Sequence, residues 1–323
     1  MSFLLARRVS RLCTVAAVGC LAVCSGKANA TLLWYDGFDT SGAPGSYSLG
    51  TVAGQNGGSG SFFTGPWVQP GGDDQLVLGT SLTVPNPLQP IIGGSLGDND
   101  APACCITGRV ARTFTTPWAG RNAPEGTFYI GFLANYGSVE LGGIGDVHHR
   151  TLEMHQGGFD DGPNRNLMLG YSTFAGLGSQ LALAVKDTAS GQMVTKQLSE
   201  HLEFVDDGDT HCLVMKFELS NVVGADRVSV FLDSMGTMEP LTPSAVLQGS
   251  DYTSGGLDVL LDSMAGIVQF SFFGGNVDHA AAIDEIRVGT TFADVALCGV
   301  PEPATGVMLT AGAMALAALR RRR

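Results

Sequence analysis

Apolar and polar residues alternate with a period of two along much of the chain, which is the pattern of half-buried β-strands. Two segments, 126–132 and 212–219, show this alternation most clearly. Their apolar faces contain Phe128, Ile130 and Phe132 in the first segment and Leu213, Met215, Phe217 and Leu219 in the second, where Lys216 and Glu218 lie opposite. Both segments are therefore predicted to be antiparallel strands with one face in a core.

Nine further segments have the same character and are separated by Gly, Asp and Asn. They are 32–38, 75–82, 109–114, 151–155, 167–171, 181–185, 227–232, 267–273 and 282–288. No convincing long amphipathic helix interrupts them. About a dozen short strands joined by tight turns predict one all-β domain over 31–298, an antiparallel β-sandwich of the jelly-roll type. The first and last strands are expected to pair, because they commonly do so in jelly rolls.

Composition supports a folded, acidic domain. Gly is frequent (45 residues), and the 44% hydrophobic content is enough to bury a core. Eight of the 18 basic residues but only one of the 30 acidic residues lie in the two terminal segments, so the segment between them has a net charge of about −19. This charge argues against nucleic acid as a partner and favours divalent cations. An acidic surface that only keeps the protein soluble explains it equally well.

The N-terminus has the three parts of a secretory signal peptide. Arginines precede the apolar run 12–23, and Ala28 and Ala30 form an A-x-A cleavage site. Residues 1–30 are thus predicted to be a signal helix that the Sec translocon and leader peptidase act on, and the mature protein is predicted to begin at Thr31. Twin-arginine export and lipoprotein processing at Cys20 or Cys24 are weaker alternatives.

The C-terminus contains a short apolar segment, 306–319, that four arginines follow: Arg320, Arg321, Arg322 and Arg323. It is shorter than the roughly 20 residues of a relaxed membrane span, so it is predicted to be a short transmembrane helix that the arginines orient with its end in the cytoplasm. A buried terminal core helix is the alternative. The arginine cluster and the preceding Pro-Glu-Pro disfavour it.

A recognisable motif precedes this helix: Val300, Pro301, Glu302, Pro303 and Ala304. Together with the helix and the arginines, it resembles the PEP-CTERM sorting signal, here over 300–323. The resemblance implies an exosortase-like processing enzyme and exopolysaccharide as a partner. It also implies export through the inner membrane, transient anchoring there, and release to the cell surface or the extracellular space. It implies no activity for the rest of the chain.

The domain between the two signals resembles the LamG-like, concanavalin A-like jelly rolls. The resemblance rests on the opening 34–39, the stretch 57–67 and the closing 284–295. It implies an antiparallel sandwich with a concave face. Its relatives include glycan binders, adhesion modules and glycanases, so the fold does not select among these functions.

Catalytic motifs are missing from the sequence. Retaining glucanases of this fold carry an E-x-D-x-x-E strand, and the chain has none; the nearest acidic run, 200–206, has the wrong spacing. A G-x-S-x-G nucleophile elbow is also missing. The chain is therefore predicted not to be an enzyme.

Three acidic turns have the composition of a Ca²⁺ site: 98–100, 160–161 and 206–209. The last is the strongest candidate, with Asp206, Asp207 and Asp209 as ligands, although it lacks the downstream Glu of an EF-hand. Turns in which Asp and Asn cap their own backbone are the alternative. On another segment, His149, Glu153 and His155 share one strand face, which fits either a zinc site or a solvated surface.

Exposed aromatic rings are the usual platform for sugars, and Trp67 and Trp118 are the predicted carbohydrate-binding residues, with Trp34 and Tyr136 as further candidates. Core packing is the alternative for each ring. Four cysteines lie in the predicted mature chain, Cys104, Cys105, Cys212 and Cys298. The vicinal pair Cys104 and Cys105 is expected to bond to two separate partners in an oxidising compartment.

The leading hypothesis is a non-enzymatic envelope or matrix protein with calcium-assisted carbohydrate binding. The alternative is a diverged polysaccharide hydrolase or lyase, which requires two carboxylates, or a carboxylate with His149 or His155, to converge in a cleft.

Overall fold

The computed structural model describes residues 31–69, 76–97, 106–115, 126–135, 148–155, 165–172, 180–186, 193–198, 209–220, 222, 225–251, 267–274 and 282–299. The predicted leader 1–30 and sorting tail 300–323 lie outside these ranges. None of the helices within them has the length and apolarity that a membrane span requires.

The described residues form seventeen strands and two helical turns. In chain order the strands are β1 (Leu32–Asp36), β2 (Gly50–Thr51), β3 (Ser59–Gly60), β4 (Phe63–Val68), β5 (Leu76–Leu78), β6 (Ser95–Gly97), β7 (Ile106–Phe114), β8 (Gly126–Asn135), β9 (His148–His155), β10 (Arg165–Ser172), β11 (Gln180–Lys186), β12 (Met193–Gln197), β13 (Thr210–Leu219), β14 (Arg227–Leu232), β15 (Ala245–Gln248), β16 (Ile267–Gly274) and β17 (Ala282–Gly289). The helical turns are a 3₁₀ turn (Gly249–Asp251) and α1 (Phe292–Val295).

The strands build two antiparallel sheets. The larger sheet has the order β15-β14-β13-β8-β17-β6-β5-β2, and β1 joins it by pairing with both β17 and β3. The smaller sheet has the order β12-β11-β10-β9-β16-β7-β4. The pairing of β1 with β17 confirms that the first and last strands lie side by side.

One hydrophobic core joins the two sheets, because a single cluster of buried residues takes members from both. The larger sheet contributes Phe128, Ile130, Phe132, Leu213, Met215 and Phe217, and the smaller sheet contributes Val110, Leu152, Met154, Leu167, Leu169 and Leu183. The sheets therefore pack face to face, which confirms the predicted all-β fold, an antiparallel jelly-roll sandwich. The faces predicted for β8 and β13 from alternation are the faces that enter this core.

The outer face of the larger sheet is partly covered by the segment 290–299, here called the C-terminal strap. Phe292 and Val295 of α1 pack on Tyr129, Val214 and Phe231, which point away from the main core. The backbone of the strap is also fixed, since Leu88 N–H donates to Leu297 O and Gly299 N–H donates to Asn86 O.

Several residues on the outer face of the smaller sheet are buried, among them the charged Glu153 of β9, which pairs with Met168 of β10. Met168, Ala182 and Ala184 alternate with core residues, and each has less than a tenth of its surface exposed.

Candidate functional site: a groove on the larger sheet

A groove of about 290 Å³ lies on the outer face of the larger sheet. Its floor comes from two neighbouring strands, because Lys216 of β13 pairs with Ser229 of β14 and Glu218 pairs with Arg227. These residues alternate with core residues of the same strands, so their side chains point outward. Antiparallel pairing thus brings two cations, a carboxylate and a hydroxyl together on one surface.

The wall of the groove is the loop 233–244, which connects β14 to β15. It contributes Glu239, Pro240, Leu241 and Pro243. Leu241 is fully exposed, and Met235 and Met238 in the same loop are also exposed. The groove therefore combines an apolar wall with a polar floor.

An ion-pair network holds the wall against the floor. Glu239 accepts a hydrogen bond from the Tyr129 hydroxyl at 2.6 Å and one from Lys216 Nζ at 2.9 Å. Lys216 Nζ also lies 3.4 Å from Glu218 Oε1. Burial and the bond to Glu239 raise the pKa of Tyr129, so this residue stays protonated and donates. The position of the loop is thus fixed before any ligand binds.

Trp67, predicted to bind carbohydrate, lies in the core with 1% of its surface exposed. Its indole Nε1 donates to the Tyr47 hydroxyl at 2.9 Å, and the Tyr47 hydroxyl donates to Asp36. The Arg112 guanidinium lies between the rings of Trp67 and Trp34, 5.0 and 4.9 Å from their centres. Both rings therefore serve the core, as the alternative interpretation expects, and a sugar has no access to Trp67.

The same buried network includes Asp36, which belongs to the aromatic, acidic opening segment 34–39. Asp36 is fully buried, and burial raises its pKa despite the Tyr47 hydroxyl and the nearby Arg112, which act in the opposite direction. Arg112 lies 3.7 Å from Asp36 and donates to Gly57 O and Asn56 Oδ1. The aromatic, acidic opening is thus a structural unit, and sequence patterns alone do not distinguish it from a binding surface.

Most other predicted ligand residues lie outside the described ranges. They are Trp118, Tyr136, Asp206, Asp207, Cys104 and Cys105. Asp209 is described and is exposed directly before β13. The predicted strand that contains His149 and His155 is formed as β9, and Glu153 between them is fully buried.

A disulfide joins Cys212 of β13 to Cys298 of the strap. The expectation that Cys104 and Cys105 bond to two separate partners is therefore wrong as far as Cys212 and Cys298 are concerned. Asp233 lies beside this disulfide and accepts from Cys212 N–H and His211 Nδ1. Although Cys212, Asp233 and Cys298 are close enough to suggest a metal site, the sulfurs are bonded to each other and are not thiolate ligands.

Two adjacent carboxylates, Asp284 and Glu285, are buried where β17 bulges. Glu285 has a positive φ of 55°, which is uncommon for a residue other than Gly, Asn or Asp. Its carboxylate accepts from Tyr35, Ile92 N–H and Arg287. The neighbouring Asp284 accepts from Leu82 N–H and Glu285 N–H, and burial raises its pKa to about 8. One oxygen of each carboxylate bonds within β17, and the other accepts from the loop 82–92, so the bulge holds this loop against the sheet.

Comparison with known proteins finds similarity of fold only. No family model matches the chain, and no curated protein matches it. Solved structures similar to it include the lectin UEA-II complexed with galactose (11% identity over 69% of this chain and 91% of that chain, TM-score 0.42). Others are a carbohydrate esterase of the Shiga toxin-encoding bacteriophage phi24B (12%, 81% and 99%, TM-score 0.42) and domain 4 of the arabinanase AbnA from Geobacillus stearothermophilus (11%, 83% and 98%, TM-score 0.41). At these values the resemblance is one of general architecture, and it identifies no ligand for this chain.

Proposed function

We propose that this chain is an exported, non-enzymatic glycan-binding protein of the cell surface or extracellular matrix, and that the groove on β13 and β14 is its binding site. The single observation that carries the proposal is the make-up of that groove. A sugar ring offers hydroxyls at its rim and C–H groups on its faces. The floor of Lys216, Arg227 and Ser229 supplies hydrogen-bonding groups, and the wall of Pro240 and Leu241 supplies apolar contact.

Binding is tested by affinity electrophoresis of the purified chain through gels that contain bacterial exopolysaccharides. Leu241→Asp places a charge on the wall without a folding cost, because Leu241 is fully exposed. We expect this variant to lose retention. The matched control is Leu49→Asp, which changes another exposed leucine beside β2, at the opposite edge of the larger sheet. Equal retention of both variants, or no retention of the parent chain on any polysaccharide, contradicts the proposal.

Calcium is part of the proposal through the acidic segment 206–209, whose last residue, Asp209, directly precedes β13, the strand that carries Lys216. The same gels are run with Ca²⁺ and with a chelator. A calcium contribution predicts weaker retention in chelator, and Asp206→Asn with Asp209→Asn should remove that difference. Retention that is independent of Ca²⁺ limits the proposal to metal-free binding.

The localisation of the protein is proposed from its two terminal segments. The leader is taken to pass through the Sec translocon to leader peptidase, and the PEP-CTERM-like tail to an exosortase-like enzyme. Replacing Pro301 and Pro303 with Ala should leave the chain in the inner membrane if the motif is a processing site. Mass spectrometry of the exported protein then identifies both mature ends, and an intact end at Arg323 contradicts processing.

A hydrolase is the second candidate, because Glu218 and Glu239 approach the same Lys216 Nζ, at 3.4 and 2.9 Å. Glu239 lines the groove, Glu218 lies beside it, and glycoside hydrolysis requires at least two carboxylates. New reducing ends released from a retained polysaccharide, and lost in both Glu218→Gln and Glu239→Gln, would favour this function over binding alone.

A further inference from the structure

The loop 233–244 exposes a concentration of apolar side chains. In the part of the chain that the structure describes, eight large apolar residues are exposed, and three of them belong to this loop. Met235 is 56% exposed, Met238 is 81% exposed and Leu241 is fully exposed. Single exposed apolar residues are ordinary on protein surfaces, whereas a cluster of them marks a surface that another body covers. The loop therefore has the character of a contact surface.

The charged groups of this loop are held by the larger sheet. Asp233 and Glu239 are its only charged residues. Asp233 accepts a hydrogen bond from Cys212 N–H. Glu239 accepts from the Tyr129 hydroxyl and from Lys216 Nζ. All other residues of the loop are uncharged, and because charges are costly to bring into an apolar environment, such a surface suits contact with one.

The chain leaves the described domain beside this loop. Gly236 donates its N–H to Cys298 O at 2.9 Å. In sequence this glycine lies between Met235 and Met238. The disulfide between Cys298 and Cys212 holds this end of the strap on β13. The exposed methionines and the point at which the predicted sorting tail begins are therefore fixed close together.

The tether between this point and the apolar segment 306–319 is short. From Gly299 to residue 306 the chain spans at most about 25 Å when it is fully extended. The segment is uncharged and is followed by Arg320 to Arg323, and it is the segment that is predicted to insert into the membrane. Once it is inserted, the loop stays within this distance of the lipid. The resulting high local concentration lets even a weak contact form.

We infer that the loop 233–244 is a membrane-contact surface, with Met235, Met238 and Leu241 in the lipid interface while segment 306–319 anchors the chain. The inference rests on the anchored stage of the proposed localisation. Leu241 is also part of the wall of the groove. Lipid therefore covers part of the groove during anchoring, and the groove becomes fully open to a glycan after release.

Two other occupants of this surface fit the observations less well. A second copy of the chain would bring together two domains that each have a net charge of about −19, and these repel each other. Segment 306–319 is uncharged on all sides, and three exposed side chains could cover only part of it. A bilayer covers the segment and the loop at the same time.

The test measures contact between the loop and lipid in the chain 31–323, which keeps the sorting tail. The chain is reconstituted into phosphatidylcholine vesicles with bromine atoms near the upper end of the acyl chains, because bromine quenches tryptophan fluorescence only over contact distances. Met238→Trp adds a reporter to the loop at an exposed position, and the spectrum of the parent chain is subtracted to remove its own tryptophans. We expect the added fluorescence to be largely lost in brominated vesicles and kept in vesicles of the unbrominated lipid.

The matched control is Val222→Trp. Val222 is also exposed, but it follows β13, whereas Cys212 near the start of β13 is bonded to the strap. At about 3.4 Å per residue, the strand separates these two sites by roughly 25–30 Å, so this tryptophan should not be quenched. Adding Met235→Asp to Met238→Trp should restore most of the fluorescence, because an aspartate resists entry into lipid.

Failure of the anchoring and failure of the loop contact give different results. If the parent chain does not float with the vesicles, anchoring is wrong and the inference fails with it. If it floats but the two tryptophan variants are quenched equally, or neither is quenched, only the loop contact is wrong. A loop tryptophan that is already shielded from a soluble quencher before vesicles are added shows that segment 306–319 or a second copy covers the loop, which overturns the inference. Glycan retention in the gels is independent of all these results.

Discussion

Arg112 shows how a charged side chain can be part of a core. Its guanidinium lies between two indole rings, where cation–π attraction acts in a desolvated space, and 3.7 Å from the carboxyl group of Asp36. The carbonyl of Gly57 and the side chain of Asn56 satisfy two of its nitrogens. One side chain thereby ties the loop 55–58 to both sheets of the sandwich.

We predict that Arg112→Met destabilises the domain by about 1–3 kcal/mol, because the buried Gly57 carbonyl and the Asn56 side chain lose their donor and Asp36 loses its neighbouring guanidinium. Urea unfolding followed by tryptophan fluorescence measures the change. The double variant with Asp36→Asn should lose less than the sum of the single variants, since each removes the same interaction. Additive losses would show that the two residues act independently.

Whether an individual side chain is buried is the property that the sequence predicts least well. Trp67 was predicted to bind a sugar because tryptophan is common at sugar-binding surfaces, but the chain segment around it has an aromatic, alternating pattern that serves a core equally well. The deciding partners, Tyr47 and Arg112, lie 20 and 45 residues away in sequence. Arg112 itself occupies an inward position between Val110 and Phe114. Nothing local distinguishes such an arginine from one on a solvated face.

At the scale of elements, the close contact between β8 and the C-terminal strap depends on Gly131. A Cβ at this position would lie 2.4 Å from the carbonyl oxygen of Val295, which is backbone and has little freedom to move. The strap therefore packs directly against the strand, with no side chain between them.

We predict that Gly131→Ala lowers the melting temperature because it pushes the strap away from Tyr129 and Phe231. The matched control is Gly79→Ala, for which the nearest atom to the new Cβ is a leucine methyl at 3.5 Å, an ordinary contact. Differential scanning calorimetry should show a clear loss for the first variant and little change for the second. Similar melting temperatures would mean that the strap contributes little stability.

The disulfide is a second link between the C-terminal strap and the larger sheet. We predict that Cys298→Ser costs about 4 kcal/mol, because the bond closes a chain segment with a sequence separation of 86 residues. Cys212→Ser and the double variant should match it, since each removes the same bond. Chemical denaturation under non-reducing conditions provides the measurement. A double variant that is less stable than either single one would point to a packing role for the sulfurs.

Elements were the most predictable level of this fold. β14 matches its predicted bounds, and β8, β13 and β16 differ by only a few residues, because alternation over six or more positions is a local signal. Six strands were not predicted: β2, β3, β4, β6, β12 and β15. Of these, β2, β3 and β6 have only two or three residues, which is too few for a local alternation signal. β4 contains a glycine and a proline, which interrupt a strand pattern.

At the scale of the whole molecule, the buried Asp284 links folding to pH. Its pKa of about 8 lies well above the usual 3.8, so between these values the folded chain holds a proton that the unfolded chain has released. Stability contributed by this group is therefore complete below about pH 4 and is lost as the pH rises through 8. Asp36, whose pKa is also raised, acts in the same direction.

We predict that Asp284→Asn flattens the decline of unfolding free energy between pH 5 and 8, by up to about 1.4 kcal/mol per pH unit. Urea titrations at several pH values measure the slope. Asp39→Asn, on the loop after β1, is the control for removal of one negative charge. An unchanged slope in Asp284→Asn would show that this carboxyl group is ionised in the folded state.

The groove is formed by residues that are distant in sequence. It therefore could not be predicted from the sequence. Lys216 and Glu218 were recognised as the polar face of β13, but their partners Arg227, Ser229 and Glu239 come from a later strand and loop. Register between β13 and β14 decides which side chains meet. The alternation in β13 predicts that one face of the strand is exposed. It does not predict which other residues lie beside that face.

The bond between Cys212 and Cys298 has a mechanical consequence. Cys298 is the penultimate described residue before the segment that begins at Val300, and Cys212 belongs to β13, which is paired on both sides. A pull on the chain beyond residue 299 is carried by a covalent bond into the middle of a sheet, so the strap cannot peel away first. Hydrogen bonds of several strands would have to break together, which gives the domain a high resistance to force from that end.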